Sequence, residues 1–210
     1  METKLNTSVS TNVKIFDGAK LLVERENAIH PQNMAIAIAR GLSNASNHQI
    51  FKIKFGNQGT FVNPDQQIIF KPPITTGLTA DLYNPTYVEV VDDSNSNVGV
   101  GNSVTFTSIP NSTSTRVIVT CELSANEANN RVTDTSDSTT TDGLDGVDDT
   151  PTEGQFFFDE LGLFTAGVGN NQINDVDELM LTHLIFSPIE KTSSRSLTMI
   201  YTLTVTVTGS

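Results

Sequence analysis

The stretch LTMIYTLTVTV, residues 197–207, decides the fold. Leu197, Met199, Tyr201, Leu203, Val205 and Val207 fall on one side of an extended chain. Thr198, Thr202, Thr204 and Thr206 fall on the other, with Ile200 the exception. Alternation sustained over this length specifies a β-strand with one apolar and one polar face. Outward from it, RVIVTCEL at 116–123 alternates in the same way. Cys121 shares its face with Val117, Val119 and Leu123, so the only cysteine of the chain reads as a buried thiol, and no intrachain disulfide is possible. In QIFKIKF, Phe51, Ile53 and Phe55 lie on one face, and Lys52 and Lys54 share the other with Ile50. Shorter strands are expected at 67–71, 87–91 and 103–109. Residues 155–164, ending in FFFDELGLF, form a strongly apolar segment.

Residues 179–186 are apolar on both faces, with Leu179, Leu181, His183 and Ile185 on one and Met180, Leu184 and Phe186 on the other. Such a strand is central in a sheet or covered by a partner. SPIEKTSSRS at 187–196 reads as a hairpin-like loop. PQNMAIAIARG at 31–41 is the helix candidate, with Pro31 at the first helical position and Gly41 just past the last turn. Residues 13–29 carry apolar residues without clean periodicity, and Asp17-Gly18 marks a turn. Residues 1–12 are polar and read as an N-terminal arm. The pattern predicts a mainly β protein: one antiparallel β-sandwich domain over 13–210 with one short N-terminal helix, the arm at 1–12 and a long acidic loop at about 124–155.

The chain has 210 residues, 24 acidic against 12 basic side chains and a net charge of −12. A surface that negative repels phosphate backbones and anionic lipid, so neither nucleic acid nor membrane is an expected partner. The opening METKLNTSVSTNVK has no apolar signal-peptide core, and no apolar run is long enough to span a bilayer. Residues 131–155 hold seven acids and one base, half the net charge of the chain.

The chemistry-bearing residues are few. His30, His48 and His183 have no metal-ligand spacing, and a single cysteine excludes a thiolate zinc site within one chain. There is no GxSxG or SxxK motif. The loops at 56–60 (GNQGT) and 99–103 (GVGNS) resemble phosphate loops only loosely, lacking the lysine and the following helix. Asp159 and Glu160 could be taken for a glycosidase pair, but neighbours on a strand point to opposite faces, so a turn or ladder-edge pair is the expected reading. Asp142, Asp145, Asp148 and Asp149 on a glycine-bent loop form a weak calcium candidate that does not match the EF-hand spacing; a solvated acidic loop is the plainer reading. No catalytic residue and no cofactor is expected, and the protein reads as a non-enzyme.

Three motifs carry a resemblance. FDELGLF at 158–164 precedes LMLTHLIFSPIEKTSSRS at 179–196, and the threonine-rich strand follows. This order resembles tailed-bacteriophage virion proteins of the tail, baseplate and fibre-attachment group, in which an E-(I/L)-G-L-(F/Y) strand precedes one ending in F-x-P-(I/V)-x-K. IFKIKFGNQGTFV followed by ADLYNPTYVEVV resembles their middle section, where a G-N-x-G-T turn precedes a strand. The resemblance is loose over 50–207 and best over 156–207. It implies a virion protein made in the host cytoplasm. Its role would be assembly in the tail or neck, as a collar or fibre-anchoring homo-oligomer bound to other virion proteins. A capsid decoration or head-fibre protein is the alternative. A carbohydrate-binding or calcium-dependent adhesive sandwich is poorly supplied, with no Trp and three Tyr. Interface candidates are Leu5 and Val9 in the arm, Met34 and Ile38 in the helix, and Leu179, Leu181, His183 and Ile185 in the two-sided strand; each also fits ordinary core or tail. On this reading, removal of residues 2–12 leaves the fold intact and weakens assembly.

Residues 131–150 contain too few apolar atoms to contribute to a core. Shortening this segment is therefore expected to leave the melting temperature almost unchanged. A loss of several degrees in a thermal scan would mean that the segment is folded or binds an ion.

Overall fold

The computed structural model describes residues 5–95, 98–125, 127–128, 155–167, 175–192 and 194–209. The elements in chain order are β1 (Leu5–Asp17), β2 (Lys20–Glu26), β3 (Ala28–Ile29), α1 (Pro31–Leu42), β4 (Ile50–Gly56), β5 (Thr60–Val62) and β6 (Ile68–Phe70). They continue with β7 (Pro85–Val90), β8 (Ser103–Ser108), β9 (Ser114–Leu123), β10 (Gln155–Thr165), β11 (Met180–Thr192) and β12 (Leu197–Gly209). Two five-stranded antiparallel sheets face each other. The first has the order β2-β1-β12-β9-β8 and the second β3-β11-β10-β4-β7; β5 and β6 form a separate hairpin. This is the mainly β, two-sheet architecture with a single short helix that the alternation predicts.

The apolar faces meet between the sheets. Val13 and Ile15 of β1, Val119 and Cys121 of β9, and Met199 and Tyr201 of β12 pack into one cluster with Ile53, Phe55, Phe158, Leu161 and Leu163 from the second sheet. Cys121 is fully buried, and burial pushes its thiol well above the usual range, as its place on the apolar face implied. Phe158 sits at the centre, edge-on to Phe55 at 5.3 Å and to Phe186 at 5.6 Å between ring centroids.

Four expectations change. Residues 5–12, read as an arm, are the first part of β1 and pair residue for residue with β12, from Leu5 opposite Gly209 to Asn12 opposite Thr202. Thr11 is buried, and its hydroxyl donates to the Asn27 carbonyl at 2.9 Å. The loop expected at 187–196 is mostly strand, because β11 continues to Thr192 opposite Gln155. Its ladder with β10 shifts register between Phe158 and Glu160, where Pro188 falls and the missing N–H costs no ladder bond. The strand expected at 67–71 gains an unforeseen partner at 60–62. The helix also runs one residue further, so Gly41 lies inside it, Ser43 is the C-cap, and the left-handed residue is Asn44, at φ 54°. His30 is buried, and its Nδ1 accepts from the Asn33 N–H at the start of α1.

Phe158 packs between two aromatic rings, those of Phe55 and Phe186, and is fully buried. Phe158→Ala is expected to cost about 3–5 kcal/mol in urea unfolding, and Phe158→Leu clearly less. A cost under about 1 kcal/mol would mean that the core collapses around the missing ring.

Candidate functional site

The second sheet is covered on both faces. Its inner face joins the core, while its outer face carries charge. β4 shows this directly: Phe51 and every residue after it in the strand are buried, including Lys52 and Lys54. Opposite Lys54 and His183 stands Gly162, so these two side chains flank the middle of β10 on the outer face. The segment 71–84 crosses this face, and Leu82 packs there on Phe164 and Met180.

Glu160 anchors that crossing. One carboxylate oxygen accepts from the N–H groups of Asn84 at 2.9 Å and Gln58 at 3.4 Å. The other accepts from the Tyr83 N–H at 3.0 Å and from His183 Nε2, also at 3.0 Å. The Ile74 N–H donates to His183 Nδ1 at 2.9 Å. That bond places the imidazole proton on Nε2, from which it is donated to Glu160. The neighbouring Asp159 accepts from the Gly59 and Thr60 N–H groups, both at 2.8 Å, and from the Thr60 hydroxyl. Burial raises the Asp159 carboxyl above its ordinary range although these three donors act against it. The register shift between Phe158 and Glu160 lets both adjacent carboxylates reach the same turn, which a regular strand does not allow. The turn has to be bare of side chain here: a Cβ on Gly56 would lie 2.5 Å from both the Asn84 carbonyl and Glu160.

The second glycine loop repeats this arrangement. Glu89 of β7 is buried on the inner face opposite Ile53 and receives the Asn102 side-chain amide at 2.7 Å and the Tyr87 hydroxyl at 3.2 Å. A Cβ on Gly99 would collide with the Glu89 carboxylate. The glycine loops thus wrap carboxylates of the chain itself, and Gln58, Gly59 and Thr60 spend their N–H groups on Asp159 and Glu160 rather than on a bound phosphate.

Beside Glu160 lies a buried ion network. Lys52 pairs with Asp175 at 2.6 Å and Glu178 at 2.7 Å. Lys54 pairs with Asp81 at 2.8 Å and with Glu178, and its ammonium lies 4.4 Å from the centre of the Phe164 ring. Burial lifts the Glu178 carboxyl above its ordinary range, against the pull of the two lysines. No group of His, Cys, Asp and Glu suited to a metal ion occurs among the described residues. Asp142, Asp145, Asp148 and Asp149 lie outside them.

The interface candidates separate into two groups. Leu179, Leu181, His183, Ile185 and Met34 are buried within the chain and serve its own core and outer layer. Leu5 and Ile38 are exposed, and Val9 is half-buried. Sequence reasoning passed over the most prominent apolar surface, the β5–β6 hairpin with Phe61, Val62, Ile68 and Phe70 exposed, and Leu78 on the crossing segment. The signal was present in TFV and IIF, but Pro64 and the flanking prolines at 72 and 73 suggested irregular connections instead. The hairpin is tied at its tip, where the Gln67 N–H donates to Asn63 Oδ1 at 2.8 Å, and Arg25 stacks over Phe70 at 5.3 Å.

Comparison with known proteins gave no match to a protein-family model, a curated protein or a solved structure.

Removing one partner of a buried ion network strands the others. Lys54→Met is expected to cost about 3–5 kcal/mol at pH 7 by urea unfolding, because Asp81 and Glu178 lose a cation. The deficit is expected to shrink as the pH falls toward 4.5. A carboxyl whose pKa is raised in the fold binds its proton more readily there than in the unfolded chain, so its protonated form stabilises the fold below that range. A deficit independent of pH would show that Glu178, which keeps Lys52 as a partner, does not carry the cost of losing Lys54.

Proposed function

We propose that this chain is a structural subunit of a tailed-bacteriophage particle, acting in the tail or neck through protein–protein assembly and without catalysis. The observation that carries this reading is the contrast between its buried and exposed groups. The acids and lysines capable of chemistry are spent as internal struts at Glu160, Asp159, Glu89, Lys52 and Lys54. Large apolar side chains stand outward instead, on a two-stranded hairpin that exposes Phe61 on one face and Val62, Ile68 and Phe70 on the other. Apolar patches of this kind mark surfaces that other proteins cover, and an isolated two-stranded ribbon gains stability when covered.

The motifs behind the resemblance also converge in space. The E-L-G-L-F strand supplies Glu160, the G-N-Q-G-T turn wraps it, and the F-S-P-I-E-K strand pairs alongside with His183 close by. A shared architecture of this kind would retain those residues for the clamp rather than for a substrate.

The test is biochemical. The chain is expected to remain with DNA-filled particles produced by its parent genome through density-gradient purification, at a fixed copy number measured by quantitative mass spectrometry. The double variant Val62→Ser, Ile68→Ser is expected to keep its melting temperature within about 2 °C, because both side chains are exposed, and to be lost from particles. Absence of the unmodified chain from purified particles would end the virion reading. Labelling over the head shell rather than the tail axis would favour capsid decoration.

A further inference from the structure

A sheet edge offers unpaired N–H and C=O groups to any extended chain, and folded proteins defend such edges with charge, proline, short length or a covering segment. Three of the four edges of the two large sheets are defended. β2 reads KLLVERE and carries Lys20, Glu24, Arg25 and Glu26. β3 is two residues long. β7 is buried, and the loop after it closes on its end, where Asn102 donates to the Val90 carbonyl at 2.9 Å.

β8 is different. It reads SVTFTS, with no charge and no proline, and it is exposed from Thr105 to Ser108. Among the described residues it pairs only with β9. Its apolar face also continues the core outward. The row Thr11, Leu203, Val117 and Phe106 runs from buried Leu203 through half-buried Val117 to Phe106, which is 70% exposed at the rim.

Charge selects the occupant. Two copies of a chain with a net charge of −12 repel wherever acids face each other. Residues 94–121 contain no Asp or Glu, and Arg116 is their only charged residue, so β8 and its flanks form a neutral window in an acidic protein. An antiparallel strand is its own complement about a twofold axis. In such a pair the two β9 strands are about 14 Å apart, three strand spacings, which exceeds the screening length of about 8 Å, so their arginines do not oppose contact.

We infer that a second copy of this chain docks on β8, antiparallel and strand to strand, joining the two first sheets into one continuous sheet. Opposite residues of antiparallel strands point to the same face. The axis therefore passes through Thr105 or Phe106. In the first case Val104 faces the partner copy at Phe106, and in the second the two Phe106 rings meet. Either register covers Phe106. This inference deepens the assembly reading by naming one contact, but it does not depend on the particle being a virion.

The experiment uses the full chain. Light scattering on size-exclusion chromatography is expected to give a dimer for the wild type and a monomer for Thr105→Lys, a charge on the edge strand, with unchanged circular dichroism and melting temperature. Single Thr105→Cys and Phe106→Cys variants are then oxidised mildly. The residue on the axis is expected to link to its own copy, since opposed residues lie within disulfide range, while Cys121 stays silent because it is buried. Val176→Cys, at an exposed position away from β8, serves as the control and is expected not to link. A wild type that stays monomeric at its highest soluble concentration overturns the inference. So does an oligomer that Thr105→Lys leaves intact, or a dimer in which neither cysteine links. Those results leave particle incorporation untouched. Conversely, a β8 dimer absent from particles removes the virion reading and keeps this one.

Discussion

Glu160 is fully buried, and the outer face of the second sheet is arranged to keep a carboxylate there. An ionised carboxylate taken out of water costs several kcal/mol unless donors replace the lost hydration. Its four donors come from three separate places: the turn at 56–60, the segment crossing at 71–84, and His183 on β11. One charge therefore fixes the positions of three chain segments, and the segments in turn keep water away from it. Asp159 and Glu89 repeat the device on a smaller scale. The energetic consequence is asymmetric. Each contact contributes modestly while the cluster is complete, but loss of the acid leaves several buried N–H groups without an acceptor.

This constraint shapes the surface. Glycine loops and acids are the residues from which nucleotide sites and hydrolase centres are built, and here they face each other inside the molecule. Outside, beside the charged residues of an acidic surface, stands a set of uncovered apolar side chains on the β5–β6 hairpin and the rim of β8. A surface with that composition is suited to being packed against. The proposed assembly role and the proposed strand pairing both start from this division of labour.

The strands whose partners are apolar could be read directly from alternation, because burial on one face leaves a period of two in the sequence. β9 and β12 follow it almost without exception. β4 could be read as a strand, but the fate of its lysines could not: their partners Asp81, Asp175 and Glu178 lie distant in sequence, and nothing local says that the second face is covered. Residues 5–12 of β1 leave no such period because this half of the strand is polar. It is held by backbone pairing to β12, and backbone bonds leave no mark on side-chain composition. The continuation of β11 past Phe186 is hidden in the sequence because Ser187-Pro188 resembles a turn, and only the register shift against β10 accommodates proline in the ladder. The same shift brings Asp159 and Glu160 to one turn, since the rule that adjacent residues face apart holds only for a regular strand.

The pairing of β1 with β12 joins residues 5–17 to residues 197–209 through thirteen matched positions. During synthesis on the ribosome β1 emerges long before that partner, with only β2 beside it, and the first sheet stays open along its middle until β12 has been made. Folding of this chain is thus governed by a contact between its most widely separated strands, the condition under which closure is slow and unpaired strands stay exposed longest. Rapid synthesis of many copies would put many such half-built sheets in one cell together. The charged β2 would then shield β1 on one flank while its other flank waits.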